Sequence, residues 1–581
     1  MTNADIVDRL EQTSRLMELH DRGDGSTDAF KIRTYQSAAF TLDKSTTDVT
    51  SLSVDELVKI PGIGKSIAQK IREIIDTGHL TELDELLAQT PTGVLDMFRI
   101  KGLGVKKVRT LWRESGIDNL NDLQRAGEQG EIAKIKGFGA STQEKILAEL
   151  AFLQEQRGKV RMDKAAVVAT LLHDALITHF DRVEISGQVR RKAQEVDTVQ
   201  LLIQTSDPVS AMLTINQVTG LEQQELDSSP FAWRGRLTGF DVLVELLFYP
   251  AEQINRQLFI HTATDAHLQQ VSDGGAPLLQ IAYTSVVSEA VDTPTQAVEQ
   301  AIYARAGLPY IVPEMREDDF AFRWASRHQN DELVTWEDLR GTLHNHSTWS
   351  DGKKSVADMA AYCRELGLTY FGIADHSKTA SYANGLDTDR VHQQQAEVDQ
   401  LNAGFGGDFR IFKGIESDIL GDGSLDYDDA TLATFDYVVA SVHQTLTMSL
   451  EKATTRLLRA IENPYTTILG HPTGRLLLAR EGYPIDHRAV INACAEHKVV
   501  IEINASPYRL DIDWRWIDYA MQQGVLLSIN PDAHDLPGLL DMHYGVAIGR
   551  KGGLTKAMTF NALTLAEMTD YLQQRRKRIQ G

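Results

Sequence analysis

The sequence is poor in several things, and each shortage excludes something. It has two cysteines in 581 residues, Cys363 and Cys494, both inside helical-looking stretches, so neither a disulfide framework nor a thiolate zinc site is supported. No apolar run approaches the roughly 18 residues of a membrane span. The N-terminal MTNADIVDRLEQ is polar and lacks a signal-peptide core, so a cytoplasmic protein with no membrane partner is expected. Low-complexity tracts are absent. Positive charge is short too: 59 Lys and Arg stand against 81 Asp and Glu, a formal charge of −22. That excludes a uniformly basic surface but not basic patches, and carboxylates gathered around metal ions would add to the excess.

What is present exceeds one hydrophobic core and predicts three or four domains. Residues 1 to about 50 read as two helices, with Lys31, Arg33 and Tyr35 near the start of the second. A pattern then occurs three times, as LVKIPGIGKSIAQKI, MFRIKGLGVKKVRTL and IAKIKGFGASTQEKI. In each a helix leads to a glycine pair and a second helix; the pairs are Gly62 and Gly64, Gly102 and Gly104, Gly137 and Gly139. Such a hairpin turns backbone N–H groups at a helix start toward an anion. Lys65, Lys101, Lys106, Lys107 and Arg109 stand beside the first two copies. One copy would read as a packing turn. Three copies with adjacent lysines read as helix-hairpin-helix binding to DNA phosphates. The expected domains are 1–85, with the first hairpin, and 86–157, a second hairpin region.

Between 158 and 315 apolar runs such as TVQLLIQT and DVLVELLFY predict an α/β domain. Polar residues over 316–335 predict a linker. From 336 to 581 apolar strands ending at Leu343, Ile373, Ile415, Ser441, Leu469, Ile503 and Ile529 alternate with helices, which predicts a parallel barrel. At or just after these strand ends lie His344, His346, Asp351, His376, Glu416, His443, His471, Asp532 and His534. In a parallel barrel those ends form one face, the face that hosts chemistry. Nine nitrogen and oxygen donors without a thiolate suit zinc or manganese, and nine are too many for one closed structural site. They predict two or three ions with open positions, suited to phosphoester hydrolysis. Arg475 and Arg509 are candidate phosphate-binding residues. Glu502 reads as structural, and His487 and His497 as surface residues.

The motifs H-x-H, D-H, G-I-E, S-V-H, G-H-P and D-A-H over 340–575 resemble those of the PHP (polymerase and histidinol phosphatase) domain, a distorted seven-stranded barrel with a trinuclear centre. The order of the whole chain is similar to the bacterial and archaeal family X DNA polymerases with a C-terminal PHP domain. The fold class expected is therefore multidomain: helical helix-hairpin-helix repeats, an α/β nucleotidyltransferase-like palm, and a (β/α)7 barrel. The resemblance implies a Mn2+- or Zn2+-dependent 3'→5' exonuclease, with 3'-phosphatase or abasic-site endonuclease activity, acting in base excision repair. It implies a monomer working on gapped, nicked or 3'-blocked DNA near the nucleoid. One ion would take His344, His346, Glu416 and Asp532, a second Glu416, His443 and His471, and the third Asp351, His376 and His534. Lys70, after the first hairpin, would be a Schiff-base nucleophile on deoxyribose phosphate.

The palm departs from the family. Where G-S-x-R-R and a D-x-D pair are usual, the chain reads GQVRRKAQEVDTVQLL. The serine is Gln188, the aspartate positions fall on Thr198 and Gln200, and the third carboxylate is at best Glu245. Phosphoryl transfer needs metal-held charge neutralisation that threonine and glutamine cannot provide. Loss of polymerisation, with no Mg2+ at the palm, is the expectation. The alternatives are an active gap-filling polymerase, which the missing D-x-D opposes, a DNA-binding scaffold, which the full donor set opposes, and a small-molecule phosphatase, which the hairpins oppose.

Overall fold

The computed structural model describes residues 2–21, 29–43, 45, 47–272, 275–284 and 293–580. The chain divides into two compact units, Met1–Arg157 and Gly158–Gly581. The described residues of the first unit are helical, built around Ile6, Leu10, Tyr35, Leu42, Ile71 and Leu111. Its three glycine hairpins share one geometry. Gly62, Gly102 and Gly137 have φ of +87°, +87° and +88°, a region only glycine adopts freely. Gly64, Gly104 and Gly139 are the extended N-cap residues of the helices that follow. A side chain at any of these caps would meet nothing, so the helix starts are open to solvent. The elements before the hairpins are shorter than expected: single turns at Val54–Leu57, Met97–Arg99 and Ile132–Lys134.

The second unit begins with a five-stranded mixed sheet. Its order is Val183–Ile185, Thr198–Gln204, Leu243–Tyr249, Ala232–Leu237 and Leu221–Gln223. Only the Thr198–Gln204 and Leu243–Tyr249 pair is parallel. The helix Met162–Leu176 buries Ala165, Val168, Leu172 and Leu176 against it. The 316–335 stretch, expected as a linker, is packed instead. Arg316 is fully buried and donates to both oxygens of Glu299, at 2.8 and 2.6 Å. Trp324 is buried too, its indole N–H donating to the Gly553 carbonyl at 2.8 Å. Its charged residues suggest solvent; an internal ion pair and inward aromatic residues decide otherwise.

Seven parallel strands then follow in chain order: Gly341–Thr342, Tyr370–Ile373, Arg410–Asp418, Tyr437–Ser441, Ile468–Leu469, Val500–Asn504 and Leu527–Asn530. The two edge strands meet beyond their ends, where the N–H groups of Asp532 and His346 donate to the carbonyls of His344 and Ala533 at 3.1 and 2.8 Å. The barrel is thereby nearly closed. Strands buried on both faces explain the continuous apolar runs. Leu343, Phe412, Val439, Ile468 and Val500 fill one cluster together with Met568 and Leu572 of the helix Leu565–Gln580. Arg575 of that helix donates to the carbonyls of Thr466 and Lys498, which precede two strands, so the helix covers the amino ends. Gly372 and Gly414 leave room for Tyr437, whose ring and hydroxyl would lie 2.2 and 2.3 Å from an added Cβ. Truncating Phe412 to alanine would cost about 3–5 kcal/mol. With the amino ends covered, the carboxyl ends remain as the open face.

Candidate metal centre

All nine donor residues named from the sequence come together at that face. Glu416 lies inside its strand rather than beyond it, because the strand runs on to Asp418. It is 1 % exposed and surrounded by imidazoles: His471 Nε2 at 2.9 Å, His376 Nδ1 at 3.0 Å, His443 Nε2 at 3.1 Å and His344 Nε2 at 3.3 Å. Asp532 Oδ1 stands 3.1 Å from His346 Nε2, and Asp351 Oδ1 3.4 Å from His534 Nε2. His346 stacks on His534 at 4.2 Å and lies 4.5 Å from His376. His471 and Asp532 have φ of +23° and +55°, bends that turn their side chains at the strand ends and that rigid surroundings must hold.

The donor atoms fall into overlapping groups: His346, Asp351, His376 and His534; His344, His346 and Glu416; His344, His471 and Asp532; His376, Glu416 and His443. His346 thus also joins Asp351, and His471 joins His344 and Asp532, so these sets overlap more than the three implied by the family resemblance. Six imidazoles and three carboxylates fit a cation cluster. Buried His344 Nε2, His346 Nδ1, His471 Nδ1 and Glu416 Oε2 make no hydrogen bond, an arrangement that a positive ion would satisfy.

Residues behind the cluster orient it. Glu502 accepts from His344 Nδ1 at 2.7 Å and from the His471 backbone N–H at 2.8 Å. Asp418 accepts from His443 Nδ1 at 2.5 Å. Asp375 accepts from the Ser347 N–H and hydroxyl at 2.8 and 2.7 Å and fixes the turn carrying Asp351. Such carboxylates set which ring nitrogen faces the centre. The sequence reading assigned Glu502 only as structural and missed Asp375 and Asp418, although Asp418 continues the strand two residues after Glu416.

The electrostatics are divided. Burial disfavours the charged form of His344, but Glu502, Glu416 and Asp532 outweigh it and hold its pKa well above the usual value. Against the same burial, Glu416 and Asp418 lift His443 to about 10, and Asp351 and Asp532 lift His534 to about 9. His346 moves the other way, to about 3, through burial and then its neighbours His534 and His376. Glu416 and Asp532 sit well below the carboxylate range despite burial, because the histidines favour their charge.

The two candidate arginines differ. Arg509 brings Nε to 3.5 Å from Asp532 Oδ2 and so borders the cluster. Arg475 is consumed by structure: it donates to Asp513 at 2.9 Å and to the carbonyls of Arg509 and Leu510. It shapes the loop that carries Arg509. His497 is exposed as expected, whereas His487 is half-buried and stacked on Trp516 at 4.6 Å. Cys363 and Cys494 are buried in helices.

Of the hairpin lysines, Lys65, Lys101 and Lys106 are exposed, while Lys107 donates to the Gly102 carbonyl at 3.1 Å and is half-buried. Exposed Lys134 and Lys136, beside the third hairpin, went unnoticed in the sequence. Arg109 is bound to the Asp21 carbonyl at 2.7 Å. Lys70 is half-buried, its ammonium donating to Glu82 at 2.6 Å. In the mixed sheet Thr198 is half-buried, and Gln200 pairs with Glu245 across adjacent strands. The Gln200 amide donates to Glu245 Oε2 at 2.6 Å, and Arg234 Nε donates to Oε1 at 2.7 Å. Gln188, where the family has serine, accepts the Asp197 N–H at 3.0 Å and is engaged by the chain itself.

Glycine-hairpin repeats, a mixed α/β sheet and a donor-rich seven-stranded parallel barrel define a multidomain DNA-binding protein with a C-terminal PHP domain. Family models agree: one described as "Helix-hairpin-helix domain" matches residues 1–80, "SAM-like Helix-hairpin-helix tandem" 94–151, and "PHP domain" 342–506. "DNA polymerase/3'-5' exonuclease PolX" of Bacillus subtilis (strain 168) is 33% identical over 581 residues, 99% of this chain and 100% of that protein. A "Probable phosphatase" of Thermoanaerobacter sp. (strain X514) is 28% identical over 181 residues, 29% of this chain and 71% of that protein. The chain belongs to the PolX family.

Proposed function

We propose that the open barrel face is a metal-dependent phosphoesterase centre that trims or unblocks the 3' ends of DNA in repair, and that the palm no longer polymerises. The observation that carries the first part is the convergence of nine donors around buried Glu416, with carboxylates behind three of the histidines. Two or three Mn2+ or Zn2+ ions held there would supply a water of lowered pKa and neutralise a phosphate. The residues of the chain do the rest. His344, His346, His376, His443, His471 and His534 with Asp351, Glu416 and Asp532 hold the cations. Glu502 and Asp418 keep the rings aimed, and Arg509, beside Asp532, is the side chain available to a phosphate oxygen. The open glycine hairpins, with Lys65, Lys101 and Lys106, grip the DNA backbone irrespective of sequence.

Loss of polymerisation is supported by the palm itself, where Arg234 already neutralises Glu245 and Gln200 fills the adjoining position. The names of the two relatives, one a DNA polymerase and 3'-5' exonuclease and the other a probable phosphatase, fit hydrolysis of phosphate esters at the barrel. The test is incubation of end-labelled DNA bearing a 3'-hydroxyl or a 3'-phosphate with Mn2+, comparing the wild type with Asp532→Ala. Release of nucleotide or phosphate by the wild type alone is expected. Equal release by both removes the barrel from the chemistry.

A further inference from the structure

Beside the donor cluster stands an aromatic side chain that the cluster does not use. Tyr382 is 64% exposed, yet its ring centroid lies 6.1 Å from that of His376. Its hydroxyl pKa is pushed up, by burial of part of the ring and then by Asp418, Glu416 and Asp351, with Arg509 opposing. The ring separation from His376, itself a donor, places the phenol beside the centre.

The segment that carries Tyr382 is firmly held. Ala380 and Ala383 are buried on either side of it, at 0 and 2 % exposure. Asn384 takes a left-handed bend, φ +54°, and its amide donates to the carbonyls of Trp349 and Ser350 at 3.2 and 3.3 Å, just ahead of Asp351. Gly385 is packed so closely that a Cβ there would lie 1.9 Å from the Ser377 carbonyl oxygen. Arg390 donates to the Asn384 carbonyl at 2.9 Å. A short, firmly packed turn therefore holds a large, mostly exposed flat ring beside the His376 imidazole.

We propose that Tyr382 is a stacking platform for the base of the 3'-terminal nucleotide. This rests on the 3'-end reading of the barrel. Glu416 and His471 are each 1 % exposed, whereas Asp351 and His534 keep about a third of their side chains open, so a nucleotide whose phosphate is drawn to the donors has its base free to lie beside the Tyr382 ring. A base freed from its partner loses its stack, and a tyrosine face restores it without reading its identity. Arg509, beside Asp532, is left for the phosphate.

The experiment uses the full chain with Mn2+ and two single-stranded 3' overhangs that differ only in the terminal nucleotide, one normal and one a tetrahydrofuran abasic analogue. The wild type is expected to show a KM about ten-fold lower for the end that carries a base. In Tyr382→Ala that ratio falls to near one, and in Tyr382→Phe it is retained, because stacking needs the ring and not the hydroxyl. A wild type that treats both ends alike, or a Tyr382→Ala loss equal on both, overturns the platform. If the wild type releases phosphate from p-nitrophenyl phosphate but leaves both DNA ends intact, the 3'-end reading fails and the platform with it.

Discussion

Gln200 and Glu245 face each other on adjacent parallel strands, and the Gln200 amide donates to the Glu245 carboxylate at 2.6 Å. Arg234 holds the other oxygen at 2.7 Å. A lone carboxylate engaged by an amide and a guanidinium has neither the charge nor the free lone pairs to hold a divalent ion at a triphosphate. Primer extension with Mg2+ or Mn2+ and four nucleotides is expected to give no incorporation. Gln200→Asp would set two carboxylates in contact and lower stability by about 1 kcal/mol or more, with recovery on adding millimolar Mg2+. Extension by the wild type that disappears in Glu245→Ala would overturn this account.

His344 and Glu502 yield a second prediction. The carboxylate aligns one histidine ring and the backbone of another, His471, while touching neither the face of the barrel nor solvent. Removing such an outer partner weakens metal binding by roughly 10- to 100-fold. Glu502→Gln should shift the midpoint of a Mn2+ titration by that factor. It should also shrink the rise in unfolding temperature that Mn2+ gives the wild type, since ligand binding stabilises in proportion to the logarithm of occupancy. Chelation should lower the melting temperature of the wild type more than that of the variant. An unchanged titration midpoint would make Glu502 merely a packing residue.

These two sites show what was readable in advance. The nine donors could be read because each stands where an apolar strand run stops, and a parallel barrel turns that one-dimensional rule into one face. The seven strands followed from the same periodicity. Asp375 and Asp418 were missed because their role depends on what each side chain meets, the Ser347 turn for one and His443 Nδ1 for the other, a relation between distant segments that spacing does not encode. Arg475 misled for a related reason: a loop arginine near a site looks identical in sequence whether it faces substrate or, as here, two carbonyls and Asp513. The 316–335 stretch misled because charge on a chain reads as solvent exposure until a buried partner such as Glu299 is known.

Acid should lower the stability of the second unit in two stages, and two of the groups responsible, His267 and Glu299, are not among the nine donors. His267 is fully buried against Tyr303, their side chains 2.7 Å apart, and burial and then Arg316 hold its pKa at about 3. The unfolded chain protonates this histidine near 6.5, so stability is complete above that value and falls as pH drops toward 3. Glu299 behaves likewise at lower pH. Burial opposes its charge, but Arg316 and Arg190 outweigh it and hold it at about 2, so its contribution is present above 4.5 and lost below. Between pH 6.5 and 4.5 this histidine should contribute a cost of up to about 1.4 kcal/mol per pH unit, alongside buried His346, whose pKa is likewise held at about 3. His267→Gln keeps an acceptor for the Tyr303 hydroxyl and should flatten that first stage in urea unfolding at pH 7, 6 and 5. Parallel pH profiles for the two proteins would assign the acid sensitivity elsewhere.

In the first unit, Lys70, Tyr35 and Lys31 all converge on Glu82. The Lys70 ammonium and the Tyr35 hydroxyl each donate to its Oε2 at 2.6 Å, and Lys31 pairs with the other oxygen. Burial opposes the Glu82 carboxylate, but hydrogen bonds from Lys31, Lys70 and Tyr35 hold it at about 2. A Schiff-base nucleophile has to reach the sugar carbonyl with its nitrogen, so a lyase role for Lys70 would require its release from this carboxylate. Glu82→Gln keeps a hydrogen-bond acceptor for Tyr35 while removing the charge that holds the lysine. Borohydride trapping on an incised abasic substrate should therefore rise several-fold in Glu82→Gln over the wild type, and vanish in Lys70→Ala and in the double variant. Trapping that survives Lys70→Ala would assign the amine elsewhere in the helical unit, and no trapping even in Glu82→Gln would leave Lys70 a purely structural partner of Glu82.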